Sequence, residues 1–285
     1  MDRSIVAAWD TDDMPILHKD MQLCISLAAR PSNIGTRFHN FLYDELGLDY
    51  VYKAFTATDL PGAVAGIRAL GIRGCSVSMP FKEDVIPLVD ELEESAAAIR
   101  SVNTIVNDAG VLTASNTDYE AVAALLDSHG VDRDARVLLR GSGGMAKAVT
   151  AAFRGAGFEH LTVVARNEAT GSALADQYGY TWVGAEEQAG DADVLVNVTP
   201  LGMRGDQEAA LSFAPDRITA VGTVFDVVAF PSETPLVRAG RDAGAHVITG
   251  AEVIALQAAR QFERYTGVAL TADQVARASA FSREE

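Results

Sequence analysis

Between positions 76 and 118 the chain concentrates side chains that can grip oxygen atoms and move a proton. The run opens SVSMPFKED, passes through SVNT and closes on NTD. It supplies one titratable amine, Lys82, one carboxylate, Asp118, and the short polar side chains Ser76, Ser78, Asn103, Thr104 and Asn116. Such a set suits a small polyhydroxylated substrate held at several oxygens while one proton is transferred. Lys82 is singled out by composition, because the chain has four lysines against nineteen arginines. A guanidinium does not release its proton at working pH, whereas a partly buried ammonium does. Each residue also has a plain structural reading. Lys82 can be a solvated cation near a short helix that Pro80 opens, and Asp118 the N-cap of a helix over 119–128. The density of polar groups between them favours the chemical reading.

The elements that must position these residues follow from periodicity and turn signals. Residues 1–20 are acidic and without a clear period, a lead-in segment. A strand over 22–28 is followed by the turn-rich ARPSNIGTRFHN, a helix over 36–47, a strand over 50–55, a helix over 58–70 and a strand over 73–78. This β-α-β-α-β order predicts an open, mainly parallel sheet with helices on its faces. Residues 84–100 read as helical in two pieces, and a hairpin follows with strands over 102–107 and 111–115. After the helix beyond Asp118 the pattern restarts. Strands over 136–140, 161–165, 194–198 and 221–227 alternate with helices to about 155 and over 168–178. Two helices, over 250–265 and 272–283, close the chain. The fold class is therefore α/β with two domains. Residues 1–117 and 250–285 are expected to form a substrate-binding and catalytic domain, completed by the C-terminal helices. Residues 118–249 are expected to form a Rossmann-type dinucleotide-binding domain.

Composition bounds the function. At 285 residues the chain is long enough for two ordinary domains. Apolar residues make up 48% of it, which fits a globular protein with full cores. No segment approaches the ~18 apolar residues needed to span a bilayer, and the first residues lack the layout of a secretory signal, so a cytoplasmic location is expected. The formal charge of −16 argues against nucleic acid or an anionic membrane as partner. It leaves an anionic small molecule possible, because a pocket can focus positive potential inside an acidic surface. Cys24 and Cys75 fall inside strands and are expected to be buried free thiols. They have no metal-ligand spacing, and no metal is expected. His39 reads as a structural helix residue; His18, His129, His160 and His246 read as surface or packing residues.

The glycine run Gly141-Ser142-Gly143-Gly144-Met145-Ala146 follows a strand and opens a helix, the context that gives a glycine pattern meaning. Gly141 permits the tight turn, Gly143 lets the backbone approach a pyrophosphate, and Ala146 is small enough for helix–strand contact. Helix N–H groups and the helix dipole would hold the phosphates. Cofactor choice is read at the end of the next strand, where Ala165-Arg166-Asn167 stands. Arg166 favours the 2′-phosphate of NADP over the free ribose of NAD, which remains possible with Glu168 nearby.

With these pieces in place the chain resembles the shikimate dehydrogenase family over nearly its whole length. The matching motifs, in family order, are SVSMPFKED, SVNT, NTD, GSGGMAKAV, NVTPLGM, FDVVAFPSETPL and ALQAARQFE. The resemblance implies a two-domain enzyme that interconverts shikimate and 3-dehydroshikimate with NADP(H), in the chorismate pathway of aromatic amino acid biosynthesis. Its partners would be a hydroxylated ring acid and a nicotinamide dinucleotide, and the protein a monomer or homodimer. Lys82 and Asp118 match the family's catalytic pair, and Asn103 and Gln257 its substrate-hydroxyl ligands. Thr199, Pro200 and Met203 match the nicotinamide side, to which Gly250 is added. Ser76 and Ser78 stand where the family usually has Asn and Thr.

The departures cluster at one end of the substrate. Where the family grips the substrate carboxylate with a Ser-x-Ser pair and a Tyr, this chain has Asn33, Gly35 and Ala229. Ser32, Thr36 or Arg37 can compensate, and Asn33 and Thr36 join the expected substrate-binding set. The expectation is a shikimate dehydrogenase-like paralogue with weak activity on shikimate or a preference for a related ring alcohol. The alternatives are a quinate or aminoshikimate dehydrogenase, or a non-catalytic dinucleotide sensor.

Overall fold

Strands that are apolar on both faces need helices on both faces, and the first part of the chain supplies them in turn. The computed structural model describes residues 17–283, so most of the acidic lead-in lies outside the described residues. β1 (Gln22–Ala28), α1 (Ile34–Glu45), β2 (Tyr50–Thr56), α2 (Leu60–Ala69) and β3 (Gly74–Val77) follow one another, and the three strands pair in parallel. Alternate residues of β1 serve different cores. Ile25 and Leu27 pack with Val64 and Ile67 of α2, while Cys24 packs with Phe38 and Leu42 of α1. Cys24 and Cys75 are buried and unbridged.

The sheet is extended by β4 (Glu91–Leu92), β5 (Thr104–Asp108) and β6 (Val111–Ser115), with α3 (Glu94–Ala97) between β4 and β5. Its order is β2-β1-β3-β5-β6-β4, and β5 runs antiparallel to β3. Residues 84–100 are therefore not two helices. They hold a single 3-10 turn at Ile86–Leu88, the short strand β4 and the four residues of α3. Pro87 withholds a helical N–H, and the Asp90 carboxylate accepts from the backbone of Leu112 at 2.7 Å, drawing the segment onto β6. Pro80 likewise opens no helix; it follows a cis Met79–Pro80 peptide within a run of turns.

Next come α4 (Thr117–Ser128) and a second sheet. That sheet is built from β7 (Val137–Arg140), α5 (Gly144–Gly155), β8 (Leu161–Val164), α6 (Glu168–Tyr178), β9 (Thr181–Val183), β10 (Val194–Asn197), α7 (Pro215–Ala220), β11 (Thr223–Asp226), α8 (Pro235–Asp242) and β12 (His246–Thr249). Its strand order is β12-β11-β10-β7-β8-β9, all parallel. Counted within the sheet this is the doubly wound order 3-2-1-4-5-6, and its switch point lies between β7 and β10. β9, α7, α8 and β12 have no counterpart in the periodicity, being too short to show a period.

The chain then returns to the first sheet. α9 (Gly250–Thr266) packs Phe262 and Tyr265 into the core shared by β1 and α1, and α10 (Ala272–Arg283) closes over it with Ala278. A Cβ on Gly74 would lie 2.2 Å from the Tyr265 ring, so β3 has glycine where the helix crosses. α4 and α9 form the seam between the sheets, with Val122 and Leu125 of α4 in the same core as Val253 of α9.

Candidate active site

In open α/β sheets ligands bind beyond the carboxyl ends of the strands. A cleft of about 260 Å3 lies there in the first sheet, and Lys82, Asp118, Ser76, Ser78, Asn103 and Gln257 all line it. A depression of similar size lies at the opposite, N-terminal ends of β7 and β8, lined by Arg136. Its charged lining residues are Arg136, Glu159 and Asp191, and Arg136 is already tied to Asp191 and Asp193.

Lys82 Nζ donates to Asp118 Oδ2 at 2.6 Å. The two arrive from different elements. Lys82 sits in the turns after β3, and its carbonyl accepts from Val102 N at 2.8 Å, beside Asn103. Asp118 is the second residue of α4 and not its N-cap. That place belongs to Asn116, whose side-chain oxygen accepts from Tyr119 N at 3.0 Å. A carboxylate in the first turn is favoured by the helix dipole. The side chains are 27% and 11% exposed, open enough to meet a ligand and buried enough that each charge needs the other.

Asn103 is 2% exposed, and its side-chain oxygen is fully engaged. It accepts from Thr117 N at 2.8 Å and from the hydroxyls of Thr104 and Thr117. A backbone N–H can only donate, so this fixes the amide orientation and leaves the NH2 group to donate into the cleft. Thr104 is not a lining residue. It is wholly buried, and its hydroxyl donates to Asn103 and accepts from Gln261 Nε2 at 3.0 Å. Asn33 and Thr36 also fall outside the cleft lining. Asn33 is exposed ahead of α1, and the Thr36 hydroxyl is buried against the fold without a hydrogen-bond partner. Arg37 turns away; its Nε and terminal nitrogen both donate to the carbonyl of Phe281 in α10, at 3.1 and 2.9 Å. Gly35 does line the cleft, while Ala229 does not.

Four polar side chains that were not among the expected ligands complete the cleft: Ser26, Arg30, Tyr52 and Gln261. Gln261 was legible as the residue four after Gln257, on the same face of α9. Arg30 stands just past the carboxyl end of β1, where ligands are expected. Tyr52 carried no signal, since only the pairing of β2 with β1 brings it there. His39 stacks on Tyr52 with ring centroids 4.5 Å apart and is itself fully buried. Burial pushes its imidazole down to about 3, with Gln261 opposing.

The dinucleotide turn lies at the switch point of the second sheet. Gly141 has φ +125°, and a Cβ there would lie 2.8 Å from Val198 Cγ2 and 3.1 Å from its carbonyl oxygen. Only glycine meets both conditions. Gly143 and Gly144 have nothing within 4 Å of where a Cβ would stand, and no side chain caps the first N–H groups of α5. Ala146 is buried and Met145 half-buried against the core, while the Ser142 hydroxyl bonds that of Thr170 at 2.8 Å. Arg166 is exposed past β8 and makes no ion pair among the described residues; Asn167 caps α6 by accepting from Thr170 N.

Across the switch point, Asn197 organises the loop after β10. Its side-chain oxygen accepts from Thr199 Oγ1 at 2.6 Å, and its Nδ2 donates to Leu201 O and to buried Asp226. Burial lifts the Asp226 carboxyl to about 6, against lowering hydrogen bonds from Thr234, Val228 and Asn197. Pro200 and Met203 are exposed on this loop. Gly250 is buried where α9 starts, and a Cβ there would lie 2.4 Å from the Val228 backbone, so it serves close packing. The two units meet beside Lys82. Lys147 of α5 donates to Glu83, the residue after Lys82, at 2.5 Å, and Ile99 packs against Ala148 and Ala151 of α5.

Fold and site together define a two-domain oxidoreductase, with a glycine turn at the switch point of one sheet and an amine–carboxylate pair in the cleft of the other. Residues 33–105 match the model of the shikimate dehydrogenase substrate binding domain. A shikimate dehydrogenase-like protein of Haemophilus influenzae is 52% identical over 94% of this chain and 99% of its own length. The chain belongs to the shikimate dehydrogenase family. Among solved structures, a shikimate 5-dehydrogenase-like protein superposes with a TM-score of 0.92 at 52% identity, over 94% of this chain and all of its own. Shikimate 5-dehydrogenase of Thermus thermophilus, in complex with NADP(H) and shikimate, gives 0.82 at 28% identity, over 92% and 100%. Quinate dehydrogenase of Corynebacterium glutamicum, in complex with NAD, gives 0.83 at 27%, over 92% and 98%.

Proposed function

We propose that the protein is an NADP-dependent dehydrogenase that interconverts shikimate, or a close ring-alcohol analogue, with its ketone, using Lys82 and Asp118 as the acid–base pair. The observation that carries the reading is the 2.6 Å Lys82–Asp118 contact inside a cleft that Asn103 and Gln257 also line. The substrate-binding unit comprises residues 1–117 and 250–285, and the dinucleotide-binding unit residues 118–249.

The residues of the second sheet fit a dinucleotide. Gly141 makes the turn, the N–H groups at the start of α5 would hold a pyrophosphate, and Arg166 would pair with a 2′-phosphate. Bound there, the nicotinamide supplies the hydride acceptor or donor. Everything else is done by side chains of the cleft. The NH2 group of Asn103 and the amide of Gln257 hold ring hydroxyls. Ser76 and Ser78 add short hydroxyl contacts. In the direction of reduction the Lys82 ammonium gives a proton to the oxygen of the forming alcohol, and Asp118 holds the amine in place throughout. In oxidation the neutral amine takes the hydroxyl proton back.

A second reading, a quinate dehydrogenase, draws on the likeness to the Corynebacterium enzyme and on Gly35, which lines the cleft where the family has a hydroxyl. Steady-state reduction of NADP+ and NAD+ with shikimate, quinate and aminoshikimate decides. Turnover that is highest with shikimate and NADP+ supports the first reading. Turnover confined to quinate supports the second, and no reduction with any pair removes both.

A further inference from the structure

Among the residues lining the substrate cleft, the charged ones are Arg30, Lys82 and Asp118. Lys82 and Asp118 neutralise each other at 2.6 Å. Arg30 is exposed at the cleft and makes no ion pair among the described residues, so the cleft of a chain with formal charge −16 carries one unbalanced positive charge. Arg37, the other arginine of this stretch, is held on the Phe281 carbonyl and over the Phe281 ring at 4.4 Å. The rest of the lining is uncharged and includes Ser32, Gly35 and the buried Tyr52, with Ser76 and Ser26 around its hydroxyl.

We propose that Arg30 is the specificity-determining residue of the cleft, binding the anionic substituent of a substrate whose reacting carbon lies at Lys82 and Asp118. The inference rests on the dehydrogenase reading above for the identity of the ring. A guanidinium presents a fork of donors that matches a carboxylate in two places, and it stays charged at every working pH. Gly35 lines the same cleft without a side chain, and a Cβ there would stand 3.6 Å from the Tyr52 hydroxyl. A grip made by charge differs from one made by hydroxyls in what it rejects. A neutral ester of the same ring acid keeps its oxygen acceptors but loses its attraction to Arg30, so the cleft discriminates by charge.

The test compares wild type, Arg30→Ala and Arg30→Lys, with shikimate and its neutral methyl ester as probes. KM and kcat come from nicotinamide reduction and affinity from titration calorimetry; thermal melting checks that each variant is folded. Loss of one charge-assisted contact is expected to raise KM and Kd for shikimate about 10- to 100-fold in Arg30→Ala. It is expected to change kcat about 3-fold at most and to leave the ester unaffected, with Arg30→Lys between. Unchanged shikimate affinity in a folded Arg30→Ala, or an equal loss with the ester, overturns the assignment while leaving the dehydrogenase reading intact. Affinity that falls as expected in a protein that reduces no nicotinamide supports the assignment and removes the dehydrogenase reading instead.

Discussion

Asn103 and Thr104 are neighbours, both short and polar, yet only Asn103 presents a free group to the cleft. What separates them is where their remaining atoms are spent. Thr104 gives its hydroxyl to Asn103 and takes a donor from Gln261, and Asn103 spends its oxygen on Thr104 and Thr117. A sequence displays the inventory of polar groups but not this allocation, so Thr104 read as a ligand and Gln261 did not. Arg37 misled for the same reason, since nothing local places Phe281 beside it. Arg166 is the contrasting case: it stands where strand order puts a ribose, and nothing in the described structure competes for it. Arg166→Asp is expected to lower kcat/KM for NADP+ about 10- to 100-fold more than for NAD+, as loss of a charge-assisted contact and gain of repulsion require. Steady-state kinetics with both dinucleotides measures this, and equal losses refute the role of Arg166.

Elements were legible where they were long or carried a turn signal. The strand at Gln22–Ala28 and the helices at Glu168–Tyr178 and Ala272–Arg283 stand where periodicity puts them. Residues 84–100 failed because an apolar spacing near the helical period was overruled by Pro87 and by pairing with β6. The glycine turn shows how one backbone position holds two elements together. Gly141 needs φ +125° and a bare Cα against Val198 at once, so β7 and the loop after β10 approach only over glycine. Gly141→Ala is expected to cost about 1–3 kcal/mol from strain at that φ, with the Val198 contact adding to it. KM for the dinucleotide should rise with it. Chemical denaturation and cofactor titration measure the two effects, and a variant unchanged in both contradicts the geometry.

The whole molecule is held by a chain that leaves the first sheet, builds the second and returns through α9. The ring motifs at both ends of that path, NTD and ALQAARQFE, were legible as parts of one family pattern; the seam they form was not, because it depends on residues more than a hundred positions apart. Stability follows from the core beneath the cleft. His39 is buried there and stays neutral, its imidazole pushed down to about 3 from an ordinary value of 6.5. Below pH 6.5 the unfolded chain binds a proton that the folded chain refuses, so this contribution is present above 6.5 and is lost as pH falls towards 3. The slope is about 1.4 kcal/mol per pH unit. Urea denaturation between pH 7 and 5 should show His39→Phe losing less stability per unit than wild type; parallel curves contradict it. The central claim is that one amine, held by a carboxylate from the seam helix, moves the proton in the substrate cleft. The most direct measurement is kcat for Lys82→Ala with saturating substrate and NADP+. A fall of about 100- to 10,000-fold with KM changed little is the predicted result, and a folded variant that keeps wild-type kcat contradicts it.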